Sequence, residues 1–176
     1  MSQRDYIEFQ ECTTPQAYLI TFRTYGTWLH GDERGSMDRR YHNRVGAPKI
    51  AKSPGLLRHE QELLKHPPVT LMPAQRQAVE AAITEVCTVR GYHLRAINVR
   101  TNHVHVAVDA ATKPEPIMRS FKAYATRKLR ETGLMSPEIE PWSRHGSTLY
   151  LWTEEEVEIA VQYVLVGQDG KVFERP

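Results

Sequence analysis

Cysteine is nearly absent from this chain. Its two cysteines, Cys12 and Cys87, are too few for a disulfide framework and lack the spacing of a metal site. Such usage predicts a reducing compartment, by default the cytoplasm. No apolar run approaches the roughly 18 residues of a membrane-spanning helix, so no membrane partner is expected. The polar opening MSQRDYIEFQECTTPQ has no hydrophobic stretch of the signal-peptide kind. An excess of one charge is missing too: 23 Lys and Arg face 21 Asp and Glu, a net +2 that by itself argues only weakly for a nucleic-acid partner. Internal repeats and composition shifts are also lacking, so residues 1–176 are expected to form one domain.

What is present is a series of periodic segments. Residues 17–25 (AYLITFRTY) are rich in β-branched and aromatic types and read as a strand. Glycine and proline then punctuate a long insert at about 31–68, in which only Leu56 to Leu64 suits a short helix. A connection of that length inside a compact domain is more often functional than idle. Pro73 opens a helix that Gly91 is placed to stop, with Val79, Ala82, Ile83, Val86 and Val89 on one face. Tyr92 to Ala110 reads as two strands joined as a hairpin at Arg100-Thr101-Asn102. A helix from Pro114 to about Thr132 buries Ile117, Met118, Phe121, Ala125 and Leu129. Ser147 to Trp152 is a last strand, and Thr153 with Glu156 forms a capping-box pattern for a last helix. Its stripe is Val157, Ala160, Val161, Val164 and Leu165. This order fits an α+β ferredoxin-like sandwich, an antiparallel sheet with helices packed mainly on one face.

Within the hairpin lies Asn102-His103-Val104-His105-Val106. Strand side chains alternate faces, so His103 and His105 point the same way, about 6–7 Å apart along the chain. Two imidazoles so placed can grip one metal ion while Val104 and Val106 enter a core. Two solvated histidines on a polar face would give the same pattern. Charge is also unevenly spread: Arg119, Lys122, Arg127, Lys128 and Arg130 share one helix without an intervening acid, while Glu154, Glu155, Glu156 and Glu158 crowd the start of the last.

The ordered set of motifs resembles the HUH endonuclease superfamily, in particular its single-tyrosine transposases of the insertion-sequence-200/605 type, REP-associated ones included. The residues that carry the resemblance are Thr21-Phe22-Arg23, Gly26-Thr27-Trp28-Leu29-His30-Gly31, His103-Val104-His105 and Ser120-Phe121-Lys122-Ala123-Tyr124. Trp142-Ser143-Arg144-His145-Gly146-Ser147 and Tyr163-Val164-Leu165 with Gln168 complete it. The resemblance implies cleavage and rejoining of single-stranded DNA, with hairpin-forming DNA as partner. It also implies a divalent cation, Mg²⁺ or Mn²⁺, held by His103, His105 and a polar third ligand, and a tyrosine that takes the 5′ phosphate. A nucleoid-associated cytoplasmic protein, monomer or homodimer, would follow. Two other readings stay open: a domesticated, non-catalytic DNA hairpin-binding protein, and an unrelated α+β protein with a structural metal.

Two tyrosines compete for the nucleophile. Tyr124 adjoins the Ile117, Phe121 and Ala125 stripe, where a half-buried packing role explains it. Tyr163 falls off its own helix's stripe at about 100° per residue, and relatives carry their nucleophile on this last helix. Its unperturbed pKa of about 10 means that at neutral pH it needs help in losing its proton. Relatives place Gln or Asn four residues after the tyrosine. Here Gly167 stands there, and Gln168 is the nearest amide, with water or a DNA phosphate as the other option. Lys122, Arg127 and Lys128 on the basic helix are candidates for tracking a phosphate backbone. Arg144 and His145 join them from what reads as a polar, aromatic loop suited to phosphates and bases. A solvated helix face and a plain loop are the alternatives.

Overall fold

A computed structural model of the chain describes residues 14–33 and 51–166. Strand β1 (Ala17–Thr24) is followed by α1 (Pro54–Glu62), α2 (Pro73–Arg90), β2 (His93–Val99) and β3 (His103–Asp109). Helix α3 (Pro114–Glu131), strand β4 (Trp142–Leu151) and helix α4 (Glu154–Leu165) complete the order. The four strands form one antiparallel sheet in the order β2-β3-β1-β4, the ferredoxin-like arrangement. Of the long insert, residues 34–50 lie outside the described residues; the short helix expected in the rest is α1, capped by Ser53.

Alternation along β1 and β3 divides the molecule in two. Tyr18, Ile20 and Phe22 with Val104, Val106 and Val108 face α2 and α3, where Ile83, Val86, Ile117, Phe121 and Leu129 close a core of large side chains. Each such side chain contributes roughly 1.5–3 kcal/mol when fully buried, so this face carries most of the stability. The other face is thinner. Ala17, Leu19, Ala96 and Ala107 with Leu151 receive α4 through Val157, Ala160 and Val164. Small alanines suit a helix that lies close to the sheet. Two long helices therefore share one face, and among the described residues α4 alone covers the opposite one.

Two helix stripes differ from expectation at their ends. Val89 is exposed and Cys87 is buried in its place. Both sit about 80° from Val79 on an ideal helix, on opposite sides, and periodicity does not choose between them. Burial pushes the Cys87 thiol up to about 11. Leu165, also expected in the core, is exposed at the end of α4.

Strand β4 begins at Trp142, not Ser147, so the polar segment read as a loop belongs to the sheet. It starts early because Trp142 packs edge-on to Phe22, 5.0 Å between centroids, and its indole N–H reaches the Thr126 hydroxyl at 3.0 Å. Pairing then slips: Gly146 stands opposite Phe22 and Trp142 opposite Thr24, which leaves residues 143–145 bulging opposite Arg23. Gly146 is required there, since a Cβ would lie 2.5 Å from the Thr21 carbonyl oxygen.

Candidate active site

The α4 face turns polar at the end of the sheet beyond Val164. One cross-strand row brings Asn98, His105, Thr21 and Ser147 side by side, and the next pairs His103 with Arg23. The His103 and His105 rings stand 4.7 Å apart between centroids, nearly perpendicular. Val104 between them is fully buried in the opposite core, so the strand cannot turn the histidines away without unpacking that core.

Each imidazole is held by its Nδ1. At His103, Nδ1–H donates to Asn102 Oδ1 at 2.6 Å, which places the lone pair of the neutral ring on Nε2. Asn102 is itself fixed: its carbonyl oxygen accepts from the Thr24 N–H at 2.9 Å and from the Thr24 and Thr27 hydroxyls at 3.1 and 3.5 Å. At His105, Nδ1 pairs with Thr21 Oγ1 at 2.7 Å, and the hydroxyl can satisfy either tautomer. Burial, aided by His103, Arg23 and Arg100, pushes His105 down to about 3 and keeps it neutral at ordinary pH. An imidazole held at Nδ1 is oriented to ligate a metal through Nε2. Among the described residues no group of three His, Cys, Asp or Glu side chains comes together.

Tyr163 comes to this pair. Its ring lies edge-on to His105, 5.3 Å between centroids, and is half-buried. Burial raises the phenol above its ordinary value while Arg23 pulls it the other way. Tyr124 does not come near: it packs with the core on the α2–α3 face, the sheet between it and the histidines, under the Arg127 guanidinium at 4.4 Å. Gln168 and Gly167 lie outside the described residues, as does Cys12.

The basic candidates divide. Lys122 on α3 donates to the Ser143 and His145 carbonyls at 2.8 and 3.0 Å, holding the β4 bulge. Arg127 pairs loosely with Glu85 and Glu131, at 3.9 and 3.7 Å. Lys128 is half-buried in the last turn of α3. Arg144 and His145 are exposed on the bulge itself, opposite Arg23. Sequence reasoning gave no role to Thr21, Arg23 or Asn102. A signal was available in β1, where Thr21 and Arg23 interrupt an apolar strand at spacing two and so share one face.

The family model described as "Transposase IS200 like" matches residues 69–162, more than half of the chain. This chain belongs to the IS200-like transposase family. The matched stretch holds both histidines and ends one residue before Tyr163. Among solved structures, a REP-associated tyrosine transposase bound to a REP hairpin shares the fold, with a TM-score of 0.50 at 14% identity over 95% of this chain and 71% of that one. A Deinococcus radiodurans R1 protein assigned as a transposase aligns with a TM-score of 0.44 at 13% identity, over 93% of this chain and 95% of that one. No curated protein matches. No described helix of this transposase is long and apolar enough to cross a membrane.

Proposed function

We propose that this transposase cuts and rejoins single-stranded DNA with Tyr163 as nucleophile and His103 and His105 as ligands of a divalent cation. The observation that supports this most is the contact of Tyr163 with His105 within one chain, 5.3 Å between ring centroids. The donor set fits a cation with two imidazoles and oxygen ligands, and imidazole favours Mn²⁺ over the harder Mg²⁺. Gln168 is the proposed third ligand. When bound, the cation supplies Lewis-acid polarisation of the scissile phosphate.

The residues do the rest. The Tyr163 oxygen forms a bond to phosphorus as the bond to the 3′ oxygen breaks. The phenol proton goes to solvent, and the departing 3′ oxygen takes one up. One phosphodiester is exchanged for another, so a different 3′-hydroxyl can reverse the step without an external energy source. Arg144 and His145 on the bulge are proposed to contact the strand. We propose hairpin-forming DNA as the substrate, and a site complete in one chain, so that a monomer suffices.

The test is a pool of hairpin oligonucleotides with randomised flanks, labelled at the 3′ or the 5′ end. With Mn²⁺, the 3′ label is expected to become covalently bound to the protein and to map to the Tyr163 peptide. Tyr163→Phe should lose the adduct and Tyr124→Phe should keep it. Salt-sensitive binding without any adduct would point to a non-catalytic hairpin-binding protein and end this reading.

A further inference from the structure

Arg23 has no part in the scheme above, yet it stands in the row of His103, next to that of His105. It pairs across the ladder with His103, so both side chains project from the same face of the sheet. Its guanidinium lies over the Trp28 ring, 3.4 Å from the centroid. Trp28 belongs to the segment after β1 that Thr27 ties back to Thr24 and to Asn102, the partner of His103. The stack and one ligand thus share an anchor. Stacking engages the flat face of a guanidinium, while its N–H donors radiate in the plane, the edge that recognises phosphate.

Position agrees with this. Arg23 stands opposite His103 in the ladder, two residues along β1 from Thr21, which stands opposite His105, and Tyr163 packs on His105. A phosphorus atom within reach of Tyr163 and the histidines would bring its non-bridging oxygens to the same place. Surface Lys and Arg on α3 lie across the sheet and cannot serve there.

We propose that Arg23 is a catalytic residue whose guanidinium, stiffened by Trp28, binds a non-bridging oxygen of the scissile phosphate beside the histidine pair. This rests on the tyrosine-transposase reading. Pre-aimed donors at such a site matter most as charge develops in the transition state, so the effect should fall on the chemical step and little on DNA affinity.

The experiment uses the full chain with Mn²⁺ and the hairpin oligonucleotide on which the wild-type protein forms adduct fastest. Arg23→Gln is expected to slow single-turnover adduct formation roughly 10²–10³-fold, with the dissociation constant for the same oligonucleotide changed less than threefold. Arg23→Lys should restore part of the rate, and Trp28→Leu, which frees the guanidinium, should lose an intermediate amount. Sulfur at one non-bridging position of the scissile phosphate needs no variant. One diastereomer should be slow with the wild-type protein, should not be rescued by a thiophilic cation, and should lose its handicap in Arg23→Lys. Wild-type rates in Arg23→Gln, or both diastereomers reacting alike, would overturn the inference while a wild-type adduct still upheld the underlying reading. No wild-type adduct anywhere in the pool would overturn both.

Discussion

Asn98 donates its Nδ2–H to the Val164 carbonyl oxygen at 2.9 Å, joining β2 to the last turn of α4 one residue beyond Tyr163. The final carbonyls of a helix have no partner within it. This bond satisfies one of them and fixes how far Tyr163 reaches across the sheet. Asn98→Ala is expected to cost about 1 kcal/mol of stability, read by urea denaturation. Adduct formation should fall more steeply, about tenfold or beyond, since small misplacement of a nucleophile is costly. Equal losses in stability and rate would mean that the bond only supports the helix.

The Thr21 hydroxyl holds His105 at Nδ1, a partner of the kind that orients a metal-binding imidazole. Thr21→Val keeps shape and removes the bond. Mn²⁺ affinity, followed by calorimetric titration, should drop about 10–100-fold while the circular dichroism spectrum stays unchanged. Asn102→Leu should act likewise through His103. Unchanged affinity in both would detach these histidines from metal binding.

His105 also gives the metal-free protein a pH dependence whose sign follows from its burial. Its folded-state pKa of about 3 lies below the unfolded value of 6.5, so the unfolded chain binds the proton more tightly. Stability contributed by the neutral ring is present above 6.5 and is lost as pH falls from there toward 3. The slope approaches about 1.4 kcal/mol per pH unit in that window. Chemical denaturation at pH 7 and 5 should show the loss, and His105→Gln should flatten it. A wild-type curve no steeper than the variant's would contradict the buried, neutral imidazole.

Much of this architecture can be read from the chain, and the exceptions have physical causes. Pro73, Gly91 and the break at 100–102 locate α2 and the β2–β3 hairpin because backbone constraints act locally. The side-chain period of two puts His103 and His105 on one face whatever surrounds them. Strand β4 is longer than its apolar pattern because the Trp142 contacts and the Lys122 clamp come from distant residues. Thr21 and Asn102 are polar residues whose worth depends on partners 84 residues away and next door, respectively. Only pairing across the sheet reveals the first, and no periodicity flags the second.

The Lys122 clamp also separates two roles that sequence alone merges. Lys122 spends its ammonium on the Ser143 and His145 carbonyls, whereas Arg144 and His145 stand exposed on the bulge that it holds. If Arg144 touches a DNA phosphate, Arg144→Gln should weaken oligonucleotide binding and reduce the slope of log affinity against log salt by about 0.7, the value for one single-strand phosphate. Lys122→Met should instead lower the melting temperature, because two strand carbonyls lose a charged donor inside a packed junction. It should disturb binding only as far as the bulge relaxes. The decisive comparison adds Lys122→Met to a variant carrying both Arg144→Gln and His145→Ala: if Lys122 acts through the bulge, the triple variant should bind no more weakly than that double variant. Additive losses in affinity, with a further fall in salt slope, would show that Lys122 meets the DNA directly.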